Sequence, residues 1–432
     1  MVMFILPFHD SKINKKGVVK LTGGTRKRGK TWYYYFDLGK VNGKRQKKEK
    51  GGFKTQKEAE AALVKAMAEY NSSGKVFEPS EITFADYLDQ WYKLYCKVNL
   101  KYGTLTNYSM IIRQHLKPKI GSYKLKALTA SMLQEYANSL KLKGYSRNYI
   151  YSIMSVLENS LNYAVEPLHY LSINPMIYVK HPKVEKKPRQ RFILSLADWQ
   201  RIIDKYPAGS PYHIPLLIGF YTGLRISEAF ALTWNDIDFE KREIHVTKQV
   251  IRRKKGNTIY SSWCFSSLKT KTSERIVKFG ETLYKALKAG KAAQLKNELK
   301  CSDSYIINIL KDEIDEKGNK IQRIESVQKS LQAAFPRVNL ICIENNGKYL
   351  PQESFRNLTL LIRDEMQINI NFHSLRHTHA TLLIEAGADI KDVQTRLGHS
   401  NIQTTLQTYV HNTEKMAAKS VELFEQVASK IG

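Results

Sequence analysis

The sequence predicts a multidomain, mainly α-helical chain that carries small β-sheets, on three observations. At 432 residues it is long enough for two or three hydrophobic cores. Short β-prone runs separated by glycine are concentrated in residues 17–54, whereas apolar residues at helical spacing dominate the rest of the chain. Two stretches break that pattern: Asn71-Ser72-Ser73-Gly74 followed by Pro79, and the basic, proline-containing run from Lys180 to Arg191. The expected division is a three-stranded sheet plus helix in 1–78, a helical unit in 79–180, a linker in 181–191, and a mixed α+β unit with a C-terminal tail in 192–432.

In the first unit, residues 18–21, 31–36 and 44–50 are expected as strands. Ala59, Ala62, Leu63, Ala66 and Met67 then recur at helical spacing over 55–70, with Thr55 and Glu58 placed as a capping box. That helix covers one sheet face. The other face is expected to present Arg26, Lys27, Arg28, Lys30, Lys44, Arg45, Lys47 and Lys48, a basic ribbon able to enter a DNA groove. A solvated basic hairpin is the plainer alternative. Helices are expected next at 83–96, 104–116, 129–143 and 146–164, with Thr83, Thr129 and Ser146 as N-caps and Ile150, Ile153, Leu157 and Leu161 on one apolar face. Basic loops at 97–101, 117–126 and 141–147 either touch phosphates or are soluble surface. The linker's charge suits it to follow DNA while the units it joins close as a clamp. Beyond Phe192 helical patterns dominate, interrupted by a β-rich region at 243–279; between 297 and 350 no element is assigned.

Charge narrows the partner. Lys and Arg total 69 against 40 Asp and Glu, a formal +29, which points to a polyanion and above all to nucleic acid. A membrane surface is the weaker alternative, because residues 1–8 are too short to span a bilayer and lack the marks of a signal peptide. A bacterial cytoplasm is the expected location. Cys96, Cys264, Cys301 and Cys342 form no CxxC pair, so neither a disulfide framework nor a zinc ribbon is expected.

The chemistry concentrates near the C-terminus. His373, Arg376 and His399 precede Tyr409, the only tyrosine after His399, and Arg225 lies upstream at the start of an expected helix. A phenol with a pKa near ~10 is a poor nucleophile at neutral pH and must be aligned and helped to lose its proton. Two guanidiniums would hold the phosphate it attacks. A rival reading takes His373, His377 and His379 as zinc ligands. Against it, there is no HExxH and no carboxylate partner, and an arginine stands between the histidines, so neither metal nor cofactor is expected.

Taken together, TGLRISE (222–228), LKTKTSERIV (268–277), HSLRHT (373–378), LGHSN (397–401) and TTLQTY (404–409) resemble, in order, the motifs of the tyrosine recombinases, and within them the integrases of phages and conjugative transposons. The resemblance implies an arm-type DNA-binding domain in 1–78, a core-binding domain in 79–180 and a catalytic domain in 192–432. It implies a 3′-phosphotyrosyl intermediate on Tyr409, with Arg225 and Arg376 stabilising the phosphorane. His373 would serve as acid or base, and His399 as a hydrogen-bond donor to the phosphate. The leaving 5′-hydroxyl would take its proton from Lys269 or Lys271. Lys269 is favoured because family members usually read PKT there, although Leu268 replaces that proline. Glu228 would orient the site. Implied partners are double-stranded DNA at core and arm sites, three further copies in a synaptic tetramer, and an excisionase or host DNA-bending protein. A catalytically inactive DNA-binding regulator and a type IB topoisomerase are the alternatives.

Overall fold

The computed structural model describes residues 23–41, 44–73, 82–185, 192–255, 260–268, 270–315, 317–331, 335–401, 403, 421 and 424–425. The chain divides into two compact units, Met1–Lys187 and Pro188–Gly432.

Within the first unit, strands β1 (Gly23–Arg28), β2 (Thr31–Val41) and β3 (Lys44–Phe53) form an antiparallel sheet in the order β1-β2-β3. Helix α1 (Gln56–Ser73) buries Leu63 and Ala66 against Tyr34 and Phe36 of β2. Its start is fixed by the expected capping box: the Glu58 amide donates to Thr55 Oγ1 at 3.2 Å, and Glu58 Oε2 accepts from the Thr55 amide at 3.4 Å. The first described strand, Gly23–Arg28, replaces what reads in the sequence as a glycine-rich turn, while the expected strand at 18–21 lies outside the described residues.

Helices α2 (Phe84–Trp91), α3 (Tyr102–Ile111), α4 (Ala130–Leu142) and α5 (Arg147–Val165) enclose a separate core of Tyr87, Trp91, Leu116, Leu133, Ile153 and Leu157. Thr83, Thr129 and Ser146 cap α2, α4 and α5 as expected, each accepting a backbone N–H from three residues on. The expected helices at 83–96 and 104–116 are each interrupted by one wide π-turn, Tyr92–Cys96 and Ile112–Leu116.

The second unit places α6 (Leu196–Lys205), α7 (His213–Thr222) and the short α8 (Ile226–Ala229) beside two sheets. Strands β4 (Ile237–Asp238), β5 (Glu243–Val246) and β8 (Arg275–Lys278) form one of them. The second has the order β6-β7-β10-β9 and is built from two hairpins, β6 (Lys248–Lys254) with β7 (Ser261–Ser267), and β9 (Ile306–Ile314) with β10 (Lys320–Gln328). The β9–β10 hairpin accounts for much of the segment in which the sequence assigns nothing. Helix α9 (Glu281–Cys301) separates the hairpins in the chain, and α10 (Gln352–Met366), α11 (Phe372–Glu385) and α12 (Ile390–Leu397) come after them. Leu217, Phe230, Ile244, Leu283, Leu358 and Leu375 lie in one shared core, so the elements carrying the motifs are fixed to a common body. No helix among the described residues is long and apolar enough to cross a membrane.

Candidate active site

The TGLRISE segment owes its shape to one glycine. Helix α7 ends at Gly223 in the left-handed region, φ 66°, where a Cβ would come within 2.8 Å of both the His379 ring and the Leu397 side chain. The chain then extends through Arg225 and restarts as α8, with the Arg225 amide donating to Glu228 Oε2 at 3.0 Å. Glu228, 2% exposed, accepts Arg225 Nη1 on its other oxygen at 2.7 Å. Burial works to raise the Glu228 pKa, but the adjacent Arg275 and Arg225 guanidiniums outweigh it and hold the carboxyl below its ordinary range.

Helix α11 carries Arg376 inward. Asn371 caps that helix through the Ser374 amide at 2.8 Å, and Thr378 Oγ1 accepts the Leu194 amide at 2.9 Å. Arg376 is 1% exposed; it donates Nη1 to Gly223 O and Nη2 to Leu397 O, both at 2.7 Å, and Nη2 also reaches His399 Nε2 at 2.8 Å. Arg225 Nη2 donates to the next carbonyl, Gly398 O, at 3.1 Å. The two guanidiniums therefore hang from consecutive carbonyls of a single turn, the one that ends α12 at Gly398 with φ 66°.

Because arginine only donates, His399 Nε2 must accept, and the ring is the neutral Nδ1–H tautomer. Burial, then the charges of Arg376, Arg225 and Arg275, push His399 down to about 3. Burial and Arg396 do the same to His379, also to about 3, and Arg396 Nε donates to His379 Nε2 at 2.9 Å. Both rings are neutral in the folded protein near pH 7, whereas a histidine in the unfolded chain binds a proton near about 6.5. The unfolded state thus binds more protons between those values, and stability should fall as pH drops below about 6.5. Thermal unfolding followed from pH 7 to 5 should show a falling melting temperature, with a flatter profile in the double variant His379→Gln, His399→Gln; an equally steep profile in that variant would contradict the assignment.

Of the expected site residues, Arg225, Arg376 and His399 come together directly. His373 lies exposed on the first turn of α11, its ring 4.3 Å from that of His377, and its pKa is lowered by partial burial and by Arg376 and Arg225. Tyr409 and Lys269 lie outside the described residues, and Lys271 opens the short turn Lys271–Ser273. Two residues absent from the sequence reading join the site. Arg275 bonds Glu228, and Arg396 donates Nη2 to Tyr221 O at 3.1 Å. Arg275 stands within the quoted SERIV block, but its partners are distant in sequence and its role cannot be read from spacing.

The expected basic face of the N-terminal sheet needs correction. Strand register pairs Lys48 with Phe36 and Lys27 with Trp32, on the face that α1 covers, while Arg26 and Arg28 pair with Tyr33 and Thr31 on the opposite face. Side chains alternate across a strand, so consecutive basic residues cannot share a face. Arg26 and Arg28 both bind Glu49, at 2.5 and 3.1 Å, and lie over the rings of Tyr35 and Tyr33. Lys47 pairs with Asp37, Lys30 sits in the β1–β2 turn, and Lys44 and Arg45 open β3.

Comparison with known proteins leads to the same place. Residues 25–69 match an arm DNA-binding domain and 83–141 an N-terminal SAM-like domain of phage integrases. The chain is 29% identical over 391 residues to a tyrosine recombinase XerC-like protein of Caldanaerobacter subterraneus, covering 88% of this chain and 92% of the relative. It is 26% identical to the ICEBs1 integrase of Bacillus subtilis, covering 76% and 79%. In fold it is similar to the Tn1549 transposon integrase in complex with transposon right end DNA, with a TM-score of 0.57 and 22% identity over 79% of this chain and 99% of that one. The phage integrase family model matches residues 197–416, just over half of the chain and the whole arginine–histidine cluster, and the chain therefore belongs to the phage integrase family, the tyrosine recombinases.

Proposed function

We propose that this protein is a site-specific DNA recombinase that integrates and excises a mobile element by cutting and rejoining strands through Tyr409. The tyrosine oxygen attacks the scissile phosphorus, the P–O5′ bond breaks, and the strand is held as a 3′-phosphotyrosyl ester. The phenolic proton passes to His373, and the departing 5′ oxygen takes one from Lys269, with Lys271 as the alternative donor. A 5′-hydroxyl from the partner strand then reverses the sequence. One phosphoester replaces another, so the exchange needs no ATP, and the guanidiniums of Arg225 and Arg376 supply the charge that a metal ion would otherwise bring.

The observation that carries this reading is the suspension of those two guanidiniums from the adjacent carbonyls Leu397 O and Gly398 O, the second of them eleven residues before Tyr409. Preorganised donors of this kind stabilise charge that develops only in the transition state. Residues 1–78 would bind arm sites and 79–180 core sites. The active assembly would be a synaptic tetramer, directed by an excisionase or a host DNA-bending protein.

Arg225→Lys tests the reading. It keeps a charge but loses the planar fork that spans Glu228 and Gly398 O. On a nicked suicide substrate, formation of the covalent adduct should fall about 100-fold, near 3 kcal/mol of transition-state stabilisation, while DNA affinity stays within a few-fold. Normal cleavage by this variant would remove Arg225 from the mechanism.

A further inference from the structure

Arg275 opens β8 immediately after the segment that carries Lys269 and Lys271. Its side chain is 4% exposed, and its guanidinium joins three stretches of chain: Nη2 donates to Glu228 Oε2 at 2.9 Å, Nε to Arg396 O at 2.7 Å and Nη1 to Ser273 O at 2.9 Å. Gly398 packs against it so closely that a Cβ would come 3.0 Å from Nη1. Ser273, 4% exposed, closes the turn by donating its amide to Thr270 O at 3.0 Å, and its hydroxyl bonds Thr270 Oγ1 at 2.9 Å.

The entry to the lysine segment is anchored to the same place. Leu268 is 8% exposed in the main core, and Ser267 O accepts Gln249 Nε2 at 2.8 Å. Gln249 Oε1 in turn accepts Ser227 Oγ at 3.3 Å. Both ends of the segment therefore lead back to residues 227 and 228, beside Arg225, and Arg275 forms the buried, charged tie at the exit.

We propose that Arg275 is a positioning residue for strand cleavage, a single guanidinium that sets Arg225 through Glu228 and fixes the exit of the lysine segment through Ser273 O. The inference rests on the reading that a lysine of this segment protonates the leaving 5′ oxygen. A substrate with a 5′-bridging sulfur at the scissile position separates the two ideas, because a thiolate departs without protonation.

Arg275→Met should cleave the ordinary substrate about 100-fold more slowly at saturating DNA, with a defect at least tenfold smaller on the sulfur substrate. An equal defect on both substrates, or no defect on either, would overturn the proposal. Should Arg275→Met fail to fold, the same ratio is read from Arg275→Lys, which keeps a charge facing Glu228 but cannot reach Ser273 O and Arg396 O together. Lys269→Ala and Lys271→Ala are measured alongside. If sulfur rescues neither, the lysine assignment fails and this inference with it; if it rescues one of them but not the Arg275 variant, the inference alone fails.

Discussion

Tyr409→Phe is expected to abolish covalent attachment to DNA while leaving DNA binding unchanged. The substitution removes one oxygen, the atom that would form the new bond to phosphorus, and there is no other tyrosine after His399. Losing a covalent nucleophile costs more than about 10⁴-fold in rate, because the remaining groups are arranged to assist an attack that no longer occurs. Affinity should persist, since binding by a chain of formal charge +29 is carried by phosphate contacts spread over many basic residues. A denaturing gel of protein with a nicked substrate, beside a binding titration, reads both quantities. An adduct that survives in the phenylalanine variant would mean that another side chain is the nucleophile.

Arg376→Ala should be damaging in two separable ways. The guanidinium is 1% exposed and donates to Gly223 O, Leu397 O and His399 Nε2, so removing it takes a buried donor away from each of these acceptors. Each such loss costs about 1–3 kcal/mol, and a stability loss of roughly 3 kcal/mol is expected. Cleavage should also fall at least about 1000-fold through loss of phosphate stabilisation. Arg225→Ala is the informative companion. Its side chain is 36% exposed, so it should lose cleavage comparably but much less stability. Chemical denaturation of the two variants beside the parent decides the matter, and equal destabilisation would contradict the structural difference between the two arginines.

How much of the molecule is legible in its sequence depends on how local each feature is. The capping box of Thr55 and Glu58 and the N-caps Thr83, Thr129 and Ser146 act within one helical turn and are found where the residue pattern puts them. Arg225, Arg376 and His399 converge because glycines shape the turns beside them, and those glycines stand within the motifs themselves. Features that depend on long-range partners stayed hidden. Arg275 and Arg396 find backbone carbonyls more than a hundred residues away. The β9–β10 hairpin escaped notice because its acidic residues are matched only once the chain has folded back: Glu313 of β9 meets Arg323 of β10, and Asp315, just beyond β9, meets Arg253 of β6. The basic face of the N-terminal sheet is a different case, since applying strand alternation to 26–28 and 47–48 would have divided those residues between faces without any structure.

In the proposed reaction Tyr409 is delivered to the Arg225–Arg376–His399 cluster and becomes esterified there. Its most direct test is to trap the covalent complex on a nicked substrate, digest both protein and DNA, and map the adduct by mass spectrometry. A nucleotide 3′-phosphate is expected on the peptide containing Tyr409. A nucleotide carried by any other residue would contradict that reaction.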